Sequence, residues 1–316
     1  MTAKKDFSSA LMHCSTIAYF MVAGKEKTPR QLWEDAVSDL AVRQAKYDAM
    51  TDRIKTMASG IKAWGKIEEL KFKVAELAIN KDDEPLSKTA KSYLKRYYAY
   101  LKYGKWSASL DKGNKYVNKG KLGEQDSITL CSFLDDRPYY KNPERFDDEY
   151  LTGEPDIIFF EEDGPYIIDV KTSWDIETFM ECLGKDLTAL YWWQVQGYFA
   201  LTGAKRGEVS YCLVNTPEPV LKGEKYGLMR RLDVATDENP EYKAAETVLI
   251  NNMTFTDMPH ADRRIKFTVE RDDEAIAKIY QRVKKCREYL AEIQELHAIG
   301  TFKAKSGNEE MIEEAA

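Results

Sequence analysis

The chain has 316 residues, 43% of them hydrophobic and 12% aromatic, enough to bury a sizeable core in one large domain or two small ones. Its 32% charged content and mean hydropathy of −0.54 exclude a membrane protein, and the apolar run from Ala10 to Ala23 is broken by His13, Cys14, Ser15 and Thr16, which argues against a signal peptide. Five scattered cysteines with no Cys-x-x-Cys pair, and three histidines with no His-Glu-x-x-His spacing, point to a reducing cytoplasm without disulfide framework, iron–sulfur cluster or zinc hydrolysis.

In chain order, Thr28-Pro29 reads as an N-cap with proline in the first helical turn. The alternation of apolar and charged residues from Arg30 towards Met57 then predicts an amphipathic helix, with a second over Ile61 to Ile79. Pro85 and Ser87 open a third helical stretch, ended by Gly104. The window Ser87–Lys121 holds ten basic residues, among them Lys91, Lys95, Arg96, Lys102, Lys119 and Lys121, against the single acid Asp111: a net +9 in a chain whose total is −6. Tyr93, Tyr97, Tyr98, Tyr100 and Tyr103 interleave with these bases. Two readings stand side by side: a core-facing tyrosine stripe with a solvated lysine face, and a surface that tracks phosphates.

From about Ser127 the pattern turns to short β-prone runs, "SITLCSF", "PDIIFF", "YIIDV", "EVSYCLV" and "RIKFTV", mixed with helical segments around Leu187–Leu201 and Asp273–His297. The expected architecture is α/β, with a helical N-terminal elaboration over residues 1–86, a mixed α/β core over 87–300 and a short acidic tail over 301–316.

The stretch "GEPDIIFFEEDGPYIIDVKTS", Gly153–Ser173, reads as a β-hairpin turning at "EEDGP". Alternate strand residues share a face, so Asp169 and Lys171 point one way while Val170 points into the core and offers its backbone carbonyl. Asp156 and Asp169 brought together beside that carbonyl make an all-oxygen site suited to Mg²⁺ or Mn²⁺. Such ions serve phosphodiester hydrolysis, and an adjacent lysine can orient water or stabilise developing charge. The alternative is an ordinary hairpin with charged ends. Two further features bear on it: Gln194 and Tyr198 are four apart on one predicted helix face, and Glu124 in "KGKLGEQDSITL" closes the basic window ahead of a β-prone run.

Taken in order, Glu124, Gly153-x-Pro155-Asp156, Asp169-Val170-Lys171 and Gln194-x-x-x-Tyr198 resemble the PD-(D/E)xK (restriction-endonuclease-like) nuclease superfamily. The branch they resemble is that of phage-type exonucleases related to lambda exonuclease, YqaJ viral recombinases and RecB nuclease domains. The resemblance covers roughly Ser87 to Glu218. It implies a central mixed sheet flanked by helices, with Asp156, Asp169, the Val170 carbonyl and a helix-borne Glu124 around a metal, Lys171 as catalytic lysine, and Gln194 and Tyr198 as accessory residues. "HCSTIAYFM" is similar to the family's serine-bearing helix start, which implies that Ser15 and Thr16 receive a terminal phosphate. The implied function is a Mg²⁺-dependent exonuclease acting on linear double-stranded DNA, with 5′ to 3′ resection, a single-strand annealing recombinase as partner and a homo-oligomeric ring as expectations. A structure-specific endonuclease and a catalytically silent DNA-binding domain are the alternatives.

Overall fold

The computed structural model describes residues 7–21, 27–105 and 114–301. Asp111, Lys112 and the acidic tail beyond Thr301 lie outside the described residues. The chain divides into two compact units, Val22–Ser92 and Met1–Met21 with Tyr93–Ala316. The first described segment therefore belongs with the sheet-bearing unit, whereas the sequence reading places residues 1–86 together.

That segment forms a short strand, β1 (Met12–His13), a 3₁₀ turn at Cys14–Thr16 and a five-residue helix, α1 (Ile17–Met21). The Val22–Ser92 unit holds α2 (Pro29–Asp48), α3 (Asp52–Lys55) and α4 (Ala58–Asn80). The start of α2 is a reciprocal capping box: the Thr28 hydroxyl accepts from Gln31 N at 3.2 Å, and the Gln31 side chain accepts from Thr28 N at 2.9 Å. Pro29 at the first helical position supplies a preset φ where no N–H is required.

The unit boundary falls within α5 (Lys88–Tyr103), which stops at Gly104 with φ +65°. α6 (Lys115–Leu134) follows, and then β2 (Phe146–Asp147), β3 (Leu151–Gly153), β4 (Ile157–Glu161) and β5 (Gly164–Thr172). The remainder is α7 (Ile176–Met180), α8 (Ala189–Thr202), β6 (Arg206–Cys212), α9 (Glu218–Arg231), α10 (Pro240–Met253), β7 (Arg264–Glu270) and α11 (Asp273–Ile299).

The main sheet runs β4-β5-β6-β7, with β5 and β6 parallel and the two outer pairings antiparallel. A small sheet, β1-β3-β2, joins the first described segment to the two short strands that precede β4 in the chain. The parallel β5–β6 pair needs a crossover, which α7 and α8 supply. α6 covers one face: Ile128, Leu130 and Cys131 pack on Ile157, Ile168, Val170 and Cys212. α8 covers the opposite face, and α11 presents Ile276, Ile279, Val283, Cys286 and Leu290 inward at helical spacing.

Two elements differ from their sequence expectation. The helix expected from Arg30 towards Met57 is broken after Asp48, with the short α3 at Asp52–Lys55 following it. "SITLCSF" is the last two turns of α6, not a strand. Its Ile, Thr and Phe favour strands locally, but Ser127, Ile128 and Cys131 recur at helical spacing, and their burial against the sheet outweighs the small propensity difference.

Candidate active site

The hairpin register assembles the centre. β4 and β5 pair Ile157 with Ile168, so Asp156, one residue outside the ladder, stands opposite Asp169. Asp156 Oδ2 accepts from Val170 N at 2.8 Å, which ties the acid to the strand carrying the other two polar groups. Val170 itself is buried in the core beneath α6 while Asp169 and Lys171 take the other face. Lys171 Nζ lies 2.6 Å from Asp169 Oδ2 and 4.7 Å from the centre of the Tyr191 ring.

α8 reaches the same face. Gln194 Nε2 donates to Asp169 Oδ1 at 3.2 Å and to Tyr198 Oη at 2.8 Å, so one buried amide holds both an acid and a phenol. Two glycines allow this close approach. A Cβ at Gly153 would meet Cys14 Sγ at 2.8 Å and Tyr198 Cε1 at 2.9 Å; one at Gly197 would meet Ile17 Cδ1 at 2.5 Å and Cys14 Sγ at 2.9 Å. β3, the 3₁₀ turn and α8 therefore meet backbone to side chain directly behind Tyr198.

The electrostatics are those of crowded carboxylates. Loss of solvent, then the Asp169 charge, push the Asp156 carboxyl up to about 8, with Lys171 opposing and Glu124 adding to the rise. Desolvation alone would favour the neutral Lys171 amine, but Asp169 and Asp156 outweigh it and hold the ammonium above its ordinary value. Burial, followed by the charge of Asp169, raises the Tyr198 phenol, which stays protonated.

Glu124, on α6, faces the cluster through its charge on Asp156, but its carboxylate forms an ion pair with Lys141. Among the described residues no group of three or more His, Cys, Asp or Glu side chains is arranged to hold a metal ion. What does fit a hard divalent cation is the donor chemistry: two facing carboxylates, and a buried Asp169 Oδ2 that has Lys171 Nζ beside it but no well-directed hydrogen bond.

Sequence reasoning missed Lys141 and Asn142. Asn142 N donates to Asp156 O at 2.8 Å and its Nδ2 donates to Pro155 O at 3.1 Å, bracing the loop that delivers Asp156. Nothing in the local pattern signals these roles, since the site-forming partners Glu124, Pro155 and Asp156 lie 13 or more positions away.

No family model matches the sequence, and no curated protein does. Among solved structures, a phage-related exonuclease from Haemophilus somnus 129PT superposes with a TM-score of 0.56 at 22% identity, over 93% of this chain and 97% of that one. The chain has the fold of a phage-type exonuclease. An alkaline exonuclease from Laribacter hongkongensis matches with a TM-score of 0.47 at 13% identity, over 93% of this chain and 94% of that one. Its complex with dAMP matches with a TM-score of 0.46 at 14% identity, over 67% and 85%.

Within this exonuclease fold the basic residues scatter. Lys91, Lys95, Arg96 and Lys121 are exposed, and Lys102 is half-buried with Nζ donating to Tyr98 Oη at 2.9 Å. Lys119 corrects its assignment as a phosphate contact: it is fully buried, donating to Trp174 O at 2.6 Å with the Trp174 and Phe255 rings within 6 Å. Its stem lies on the side of α6 that packs inward, and burial lowers its amine to about 8. The tyrosine stripe is both things at once, with Tyr93, Tyr97 and Tyr98 buried and Tyr100 and Tyr103 exposed. Ser15 is exposed in the 3₁₀ turn, and the Thr16 hydroxyl donates to His13 O at 2.8 Å, which commits its proton inside the turn. No helix among the described residues is long and apolar enough to cross a membrane.

Proposed function

We propose that the protein is a Mg²⁺- or Mn²⁺-dependent exonuclease that hydrolyses phosphodiester bonds at the ends of linear double-stranded DNA, resecting 5′ to 3′ for single-strand annealing recombination. The observation that carries this reading is the convergence of Asp156, Asp169 and Lys171 on one sheet face, braced by Gln194, in the fold shared with a phage-related exonuclease.

Asp156, Asp169 and the Val170 carbonyl would hold the cation, and Glu124, paired with Lys141 in this structure, would be the further carboxylate available to it. When bound, a divalent cation neutralises phosphate charge and activates water. Lys171, held as an ammonium beside Asp169, would orient the nucleophilic water or stabilise the charge developing on the phosphate. Gln194 holds Asp169 in place and Tyr198 holds Gln194. The exposed Lys91, Lys95, Arg96 and Lys121 supply the sequence-independent part of DNA affinity.

The test is incubation with Mg²⁺ or Mn²⁺ and either linear or covalently closed duplex DNA, beside a Lys171→Ala variant. Loss of linear DNA alone supports the exonuclease. Cutting of the closed circle replaces it with an endonuclease, and salt-dependent binding without cleavage replaces it with a silent DNA-binding domain.

A further inference from the structure

A cavity of 330 Å³ lies between α6, the segment after β6 and the 3₁₀ turn His260–Arg263. None of its residues belongs to the cluster around Asp169. Three features of it are chemically specific.

First, Arg263 is only 8% exposed, and its Nε is buried without a hydrogen-bond partner. That atom is closed to solvent, but Arg263 itself lines the cavity and brings a positively charged side chain to its wall. Second, Phe133 is 64% exposed, and its ring centroid lies 4.4 Å from that of His260, with 40° between the planes. A large aromatic surface is left open to solvent beside the cavity. Third, Asp126 and Asn215 line the same space, and the Asn215 oxygen already accepts from Phe255 N at 2.7 Å, so its amide NH₂ is the group left to donate.

We propose that this cavity binds an unpaired nucleobase of single-stranded DNA, stacked on Phe133 and His260 with its polar edge on Arg263, Asn215 and Asp126. A phosphate or a peptide carboxylate would satisfy Arg263 but would meet the Asp126 carboxylate. A base offers ring or carbonyl acceptors to Arg263 and Asn215, an amino or imino donor to Asp126 and a π face to the aromatic pair, which answers all the groups together. The volume suits one nucleotide rather than a duplex. Phe133 lies on the same helix as Glu124, roughly 14 Å further along its axis by the rise of an α-helix. The source of the strand rests on the exonuclease reading: removal of one strand from a duplex end leaves its complement unpaired.

The experiment uses the full chain carrying Lys171→Ala, in EDTA so that DNA stays intact, titrated into a fluorescein-labelled single-stranded oligonucleotide of mixed sequence and, separately, into the blunt duplex of the same sequence. Adding Phe133→Ala is expected to weaken single-strand binding about tenfold, the scale of losing one stacking partner, while leaving duplex binding unchanged. Arg263→Gln is expected to act in the same direction. If far-UV circular dichroism shows that this buried change unfolds the protein, Phe133→Ala, at an exposed position, decides alone. Unchanged single-strand affinity in Phe133→Ala, or equal losses for single strand and duplex, overturns the proposal. Degradation of linear duplex by the protein with Lys171 intact is scored separately. Its absence sinks the exonuclease reading without touching the binding comparison, and the converse also holds.

Discussion

The β4–β5 hairpin and the first half of α6 each draw a lysine away from water, with opposite results. Lys171 stands between Asp169 and Asp156, whose charges outweigh its loss of solvent and keep the ammonium firmly protonated. Lys119 has a carbonyl, two aromatic rings and only the smaller, opposing charge of Asp175, and burial brings its amine down to about 8. Burial alone therefore says little about what a lysine does. The charges that face it decide whether it is held as a cation for chemistry or tolerated as a packing element.

The sharpest way to break this contrast is Lys171→Ala, expected to lower the rate on linear duplex DNA by at least about 100-fold with an unchanged circular dichroism spectrum. A variant that cuts at the parental rate removes Lys171 from the site.

Lys119→Met probes the other half. The folded value near 8 lies below the unfolded 10.5, so between those pH values the unfolded chain holds more protons and the unfolding free energy rises with pH. The parent is expected to gain on the order of 2 kcal/mol relative to the variant across that window in denaturant titrations. Parallel pH profiles for the two proteins would show that Lys119 is solvated.

Gln194→Ala is expected to cost about tenfold in rate, because Asp169 loses the amide that orients it and Tyr198 loses its partner. Gln194→Glu, of equal size but unable to donate to Asp169, should fall as far; recovery in that variant would show that Gln194 only fills space. The smallest effect belongs to an exposed lysine: Lys121→Ala is expected to leave stability within about 0.5 kcal/mol and to reduce the salt dependence of DNA binding by about one counterion.

Much of the hairpin was legible in the sequence because its rules are local. Period-two alternation puts Asp169 and Lys171 on one face, Gly164 with φ +126° accommodates the turn, and a spacing of four puts Gln194 over Tyr198. The start of α2 and the end of α5 follow from Thr28-Pro29 and Gly104 in the same way. The failures share the opposite property. "SITLCSF" became helix, and Lys119, read as a surface charge, turned inward, because both depend on which side of α6 meets a sheet formed by residues 24 or more positions later.

Composition and short spacing by themselves thus determined a mixed α/β chain with a hairpin carrying two acids and a lysine at its polar face. Only the tertiary structure decided that Glu124 pairs with Lys141, that Asn142 braces Asp156, and that Arg263 is buried beside an open aromatic pair. The physical reason is range: strand alternation, helix spacing and caps act over a few residues, whereas burial and the partner of a charge are set by segments that meet only when the sheet and its covering helices close.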